Sequence, residues 1–212
     1  MGNRTQIVRN EQGVLLRLLP DFVNASSADV SGIDLTASYT FSSSIGNWRL
    51  GIAGAWVNEY EVDTGTTVID SVGVFTDTNP VARTLPEWKI NGTVNWSYGN
   101  HRAFALIKFI SELEADAVTG ADVFAAAGIA TVQGPEAAAS FLSPEIPSVT
   151  TVDLQYTYSF GERGFLSNGE ISLGLQNIFN TDPPITPSIT GFDPTVHDPR
   201  GRIFFVRAGV SL

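Results

Sequence analysis

Residues 152–160 alternate strictly. Val152, Leu154, Tyr156, Tyr158 and Phe160 are apolar or aromatic, and Asp153, Gln155, Thr157 and Ser159 between them are polar. Successive side chains of a β-strand point to opposite faces, so this period of two makes a ribbon with one greasy side and one polar side. Two architectures use many such ribbons. A soluble sandwich seals the greasy sides between two sheets. An outer-membrane barrel turns them out to lipid and keeps the polar sides toward an enclosed lumen.

The same rhythm returns along the chain. Ile33, Leu35, Ala37, Tyr39 and Phe41 alternate with Asp34, Thr36, Ser38 and Thr40. Trp48, Leu50, Ile52 and Trp56 share a side, opposite Arg49, Gly51, Ala53 and Ala55. Trp88, Ile90, Val94, Trp96 and Tyr98 alternate with Lys89, Asn91, Thr93, Asn95 and Ser97. The pattern is blurred over Gly13–Asn24 and around Phe104 and Leu106 in His101–Ile110. With Thr151–Phe160, Glu170–Asn177 and Arg202–Leu212, eight strands are predicted.

Connections alternate in length. Short ones are expected at Ser42–Asn47, Gly99-Asn100 and Gly161–Asn168. The Gly99-Asn100 pair suits a type II′ hairpin turn. Long polar loops of low periodicity are expected at Asn58–Leu85, Ser111–Ser148 and Asn180–Pro199, with a short helical turn in the Ala-rich part of the second. Loops of that length are uncommon in compact soluble domains. Short turns on one rim and long loops on the other are the plan of a transmembrane barrel. Strands of about 9–11 residues match a tilted bilayer crossing. Phe41, Trp48, Tyr98 and Phe160 fall near the short turns, and Trp56, Trp88 and Phe109 near the long loops, as two interfacial girdles would. The fold class expected is therefore all-β, an antiparallel up-and-down transmembrane barrel segment of eight strands.

Composition agrees. Charged residues are 16% of the chain, below the roughly 25% of soluble domains. The formal net charge of −10 argues against nucleic acid, whose phosphates need clustered Lys and Arg. Acids gather in two predicted loops: Glu59, Glu61, Asp63, Asp70 and Asp77, then Glu112, Glu114, Asp116, Asp122, Glu136 and Glu145. They read as solvated loops, without the ligand spacing of a calcium-binding loop. Cysteine is absent, which excludes disulfides and thiolate metal sites. No apolar run reaches the 18 or so residues of a membrane helix. Met1 to Gln6 carries no apolar core of a secretory signal.

Catalytic groupings are missing. His101 lies beside a tight turn and His197 in a Pro-rich loop, with nothing in the sequence to join them. No metal-spaced cluster, Gly-rich phosphate loop or Gly-x-Ser-x-Gly elbow occurs. An enzyme is not expected, and neither is a cofactor or a metal.

The end of the chain carries a resemblance. Leu175-Gln176-Asn177-Ile178-Phe179-Asn180, then Asp182-Pro183-Pro184, then Asp198-Pro199-Arg200-Gly201-Arg202 and a closing alternating strand, is similar to the end of TonB-dependent outer-membrane receptors. Val23-Asn24-Ala25 with Ser31-Gly32-Ile33-Asp34-Leu35, and Leu85-Pro86-Glu87-Trp88-Lys89, resemble that family more weakly. The signature residues Asn177, Phe179, Asn180, Pro183, Gly201, Arg202 and Leu212 are expected to be architectural. Asn177 can bond the backbone where the chain leaves the sheet. Pro183 and Pro184 cannot donate to a ladder, and Gly201 permits a sharp turn. Lys89, Asn91, Asn95, Asp153 and Gln155 are the candidate lumen-facing groups.

The resemblance implies a place in the bacterial outer membrane and uptake of a scarce ligand such as an iron chelate, cobalamin or a glycan. It implies as partners outer-membrane lipid, the rest of the barrel with its plug, TonB indirectly through that plug, the barrel-assembly machinery, and a small-molecule ligand whose identity is open. The chain departs from the family in two respects. It ends in Leu212 where the family usually has Phe or Trp. It shows eight strands and no plug, where the family has about 22 strands, so residues 1–212 match the C-terminal portion of a barrel. The alternatives are an autonomous eight-stranded outer-membrane barrel, as an adhesin or structural protein, and a soluble β-sandwich binding protein. The receptor reading predicts an open curved sheet with both edges unpaired.

Overall fold

The computed structural model describes residues 6–10, 12–19, 27–65, 67–76, 83–116, 126, 128–132, 134–160, 169–188 and 190–210. In chain order the elements are β1 (Gln6–Arg9), β2 (Leu15–Leu19), β3 (Ser27–Ser43), β4 (Gly46–Asp63), β5 (Val68–Asp70), β6 (Val74–Phe75), β7 (Trp88–Tyr98), β8 (His101–Ile110), β9 (Leu113–Ala115), α1 (Pro135–Phe141), β10 (Glu145–Ile146), β11 (Val149–Phe160), β12 (Gly169–Gln176) and β13 (Ile203–Val210).

One antiparallel sheet dominates. Its order is β13-β12-β11-β8-β7-β4-β3, and β5 adds an eighth strand on the far end of β4. Sequential strands are neighbours throughout, as in a meander. The sheet is open: β3 and β13 are its two edges and do not pair with each other. The all-β, antiparallel, eight-stranded architecture is the one expected from the sequence, and its unpaired edges are those the receptor resemblance implies.

The first predicted strand does not belong to this sheet. Its described part, β2, pairs with β1 in a separate two-stranded ribbon, and residues 20–24 lie outside the described residues. The run Val14-Leu15-Leu16 with Leu18-Leu19 has no two-sided alternation, hence no face to register against the wall. The eighth place is taken by β5, from a stretch expected to be loop.

The tight turns follow local rules. Gly99 has φ +55° while Asn100 stays at negative φ, as a type II′ turn requires. Ser44 and Ile45 alone connect β3 to β4, and Gly46 follows at φ +125°. The predicted connection at 161–168 lies outside the described residues.

Most of the buried apolar core is not in the wall. Leu35, Tyr39 and Val206 on the wall are 58%, 67% and 73% exposed. The buried cluster is Phe75, Leu113, Ala115 and Ile146, all in the long loops. There β6 pairs parallel with β9, and β10 pairs antiparallel with β9. The loops expected to be irregular are therefore partly built. Leu113 and Ala115 alternate with Glu112, Glu114 and Asp116, a period-two signal hidden among acids. α1 covers part of the predicted Ala-rich piece. It opens on Pro135, with Glu136 in its first turn, both favourable there, and buries Phe141.

Candidate functional site: the polar face and the loop over its rim

Register carries the alternation across the sheet. Phe41 lies opposite Trp48, Trp48 opposite Trp96, Trp96 opposite Ala103, Ala103 opposite Tyr156, Tyr156 opposite Leu173 and Leu173 opposite Val206. One face is therefore apolar from edge to edge. Among the described residues no second sheet is stacked on it, and Trp88, Leu154 and Tyr156 are exposed.

Two aromatic rows bound that face. At the short-turn rim Phe41 and Trp48 stack at 6.2 Å, Trp48 meets Trp96 at 6.2 Å, and His101 meets Tyr158 at 5.1 Å. At the other rim Trp56 and Trp88 stack at 5.7 Å. The indoles turn their N–H groups to polar partners. Trp56 Nε1 donates to Glu87 Oε1 at 2.8 Å, and Trp96 Nε1 to the Ile45 carbonyl at 2.7 Å. Trp48 and Trp56 lie eight residues apart on β4, about 27 Å along the strand. At a tilt of about 40° that is roughly 20 Å of band height.

The opposite face is polar. Lys89, Asn91, Asn95, Asp153 and Gln155 all stand on it by register. The first three are exposed and the last two half-buried. Asp153 pairs with Lys108 Nζ at 2.9 Å, and Arg102 pairs with Glu170 at 2.6 Å. Thr157 and Ser172, directly opposite one another, are buried and share a 2.8 Å hydrogen bond. Sequence reasoning placed Arg49 on the polar side of its strand without naming it a candidate, and missed Arg102, Lys108, Glu170 and Arg207. Arg102 and Lys108 sit an even six residues apart, hence on one side, but the apolar Phe104 and Leu106 between them mask the period.

The segment from β12 to β13 folds against this face at the long-loop rim. Asn177 and Asn180 adopt left-handed backbone, φ +50° and +55°, which Asn tolerates better than most residues. Asp153 Oδ1 accepts the Asn177 N–H at 2.8 Å. Asn177 Nδ2 donates to the Thr181 carbonyl at 2.9 Å, and its Oδ1 accepts the Thr181 N–H at 2.9 Å. Asn180 Oδ1 accepts the Arg202 N–H at 2.9 Å and lies 2.9 Å from where a Cβ on Gly201 would stand. Four signature residues are thus tied together where β12 ends and β13 begins. Pro183 lines a cavity of about 140 Å³ with Lys108, Asp153, His197 and Asp198. Phe179 is 69% exposed and joins none of these contacts. Leu212 lies outside the described residues.

The electrostatics of this loop are local. Burial pushes the His197 imidazole below its ordinary value. The Asp193 carboxylate opposes that shift and the Lys89 charge adds to it. Burial alone would raise the Asp193 carboxyl, but hydrogen bonds from Thr195 and Thr84, with His197 nearby, leave it below its ordinary value. Hydrogen bonds from Arg200 hold the Asp198 carboxyl at about 2. Among the described residues no group of three or more His, Asp or Glu side chains gathers as a metal site. The arrangement offers ion pairs, amides and hydroxyls, groups suited to holding a ligand or another polar surface.

A family model described as TonB dependent receptor-like, beta-barrel, matches residues 4–178. The match takes in β1 to β12 and stops at the loop whose motif first suggested the resemblance. Comparison with curated proteins finds no match. Well over half the chain fits that model, and the sheet is antiparallel, open and apolar on one side only: the chain belongs to the TonB-dependent receptor β-barrel family.

Proposed function

We propose that residues 1–212 form the C-terminal part of the barrel of a TonB-dependent receptor in a bacterial outer membrane. The exposed apolar face meets lipid. The polar face, with Lys89, Asn91, Asn95, Asp153 and Gln155, looks into the lumen, and the built loops stand outside the cell. Edges β3 and β13 pair with further strands of a larger barrel, which removes two unpaired edges that would otherwise promote aggregation. The receptor takes up a scarce ligand, an iron chelate, cobalamin or a glycan, and the chain supplies wall, rim and loop surface rather than catalytic groups. Its other partners are the plug, TonB through that plug, and the barrel-assembly machinery. Asn177, Asn180, Gly201 and Arg202 serve as the architectural staple of the final hairpin.

The observation that carries this reading is the bare apolar face between two aromatic rows. A soluble sandwich would have covered it. The test is tryptophan quenching in bilayers containing brominated lipid. Trp48, Trp56, Trp88 and Trp96 all lie on that face, so strong quenching is expected. Fluorescence indifferent to brominated lipid would overturn the assignment.

A further inference from the structure

We infer that the short-turn half of the apolar face carries a groove for one phospholipid, with an acyl chain lying along β8 and the phosphate at His101. The inference rests on the reading that this face meets lipid, and deepens it by giving one lipid a defined seat. The groove is made by side-chain size. On its apolar side β8 presents His101, Ala103, Ala105 and Ile107 in turn. Register sets Trp96 and Tyr156 on either side of Ala103, and Val94 and Leu154 on either side of Ala105. Two methyl groups therefore form a floor between four larger side chains, about 10 Å from wall to wall at the usual strand spacing. A hollow of about 800 Å³ stands over that floor.

Both walls are pinned at the short-turn end. Trp96 gives its indole N–H to the Ile45 carbonyl, and Tyr156 Oη is hydrogen-bonded to His101 Nδ1. β7, β8 and β11 are inner strands of the sheet, and the depth comes from alanine standing beside tryptophan and tyrosine. Strands added beyond β3 and β13 would not reach it, and a plug would lie against the opposite face.

Length and polarity point to the occupant. The six residue steps from His101 to Ile107 span about 20 Å along the strand. At a tilt of about 40° that is roughly 15 Å of depth, half of a hydrocarbon core of about 30 Å and so one leaflet. The rim end is polar. The His101 ring lies 5.1 Å from that of Tyr158, and the exposed Tyr98 stands opposite it on β7. The imidazole tautomer that accepts from Tyr156 at Nδ1 carries its hydrogen on Nε2, which has no partner among the described residues. That N–H and the tyrosine hydroxyls are donors at the depth where headgroups begin, and phosphate oxygens are acceptors. An aromatic rim alone would mark only that depth. Here a track of small residues leads from the donors into the hydrocarbon, the form of a chain joined to a phosphate.

The test is titration of the full chain in detergent micelles with phosphatidylcholine brominated on its acyl chains, read by tryptophan quenching. Diacylglycerol with the same brominated chains is the control that lacks the phosphate. Saturable quenching by the phospholipid is expected, with the diacylglycerol about tenfold weaker for want of the charge-assisted bonds. Ala105→Leu fills the floor and should weaken the phospholipid about tenfold. His101→Phe should weaken the phospholipid and leave the diacylglycerol unchanged, a selectivity that misfolding does not produce. Quenching without saturation, equal affinity for the two probes, or wild-type affinity in either variant would overturn the groove. So would a dimer in the micelles that Ala105→Leu dissociates, since a second copy of the chain would then be the occupant. Strong quenching of the same proteins in brominated bilayers would leave the lipid-facing assignment standing when the groove fails, and its absence would remove both.

Discussion

Asn177 and Thr181 are joined by two opposed hydrogen bonds, the side-chain amide of one giving and taking from the backbone of the other. The pair closes a turn whose first residue is left-handed and whose N–H is already spent on Asp153. Asn177→Ala removes both bonds and keeps the unfavourable φ, an expected cost of about 2–3 kcal/mol. Asn177→Asp keeps the acceptor only and should cost less. Thermal or urea unfolding in micelles should rank wild type above Asp and Asp above Ala. Equal stability of the two variants would mean that the Thr181 N–H bond to the side chain contributes nothing.

Phe205 lies across Gly174 so closely that a methyl at 174 would fall within its ring. The ring covers backbone that a glycine leaves open. Gly174→Ala is expected to destabilise by about 1–3 kcal/mol through overpacking, and Phe205→Ala to relieve much of that clash. The double-mutant cycle should therefore be strongly non-additive. Additive effects would show that the ring simply swings aside.

Acid should loosen the loop between β12 and β13. The folded pKa of His197 is depressed below 6.5, so the folded state prefers the neutral imidazole. The stability this contributes is fully present above pH 6.5 and falls as pH drops from there through the lower folded value. Asp193, also depressed, from 3.8, adds a second loss at still lower pH. Limited proteolysis of the loop should accelerate as pH falls below 6.5. His197→Gln should flatten that rise.

Arginine should be rejected by one face of β4 and β7 and accepted by the other. Ile52→Arg, mid-height on the apolar side, is expected to cost about 2–4 kcal/mol of folding into bilayers. Thr93→Arg, on the polar side of the neighbouring strand, should cost far less. The measurement is the folded fraction by heat-dependent gel mobility across a urea series. Equal penalties would place lipid on neither face.

Phe75→Ala empties the centre of the loop core and should cost about 3 kcal/mol. That loss should appear as faster cleavage within 64–87 and 111–148. The gel mobility of the folded wall should not change, because the cluster shares no buried apolar residue with the wall. Loss of the wall together with the loops would show that the two fold as one unit.

The sequence by itself determined the local half of this protein. Period-two alternation named β3, β4, β7 and β11 with their greasy and polar sides, because which way a side chain points in a strand depends only on its parity. Lys89, Asn91 and Asn95 share one side of β7, and Asp153 and Gln155 one side of β11, for that reason, and Asn177 closes its turn through a residue four positions away. Tertiary structure decided what depends on pairing across distance. The place of β5 beside β4, the exclusion of β2 from the wall, the core formed by Phe75, Leu113 and Ile146, and the ion pairs of Lys108 with Asp153 and Arg102 with Glu170 all depend on pairing that no single segment specifies, most of it between residues tens of positions apart. Those contacts are fixed by register and by which apolar surfaces remain to be covered, and neither is written in any one segment.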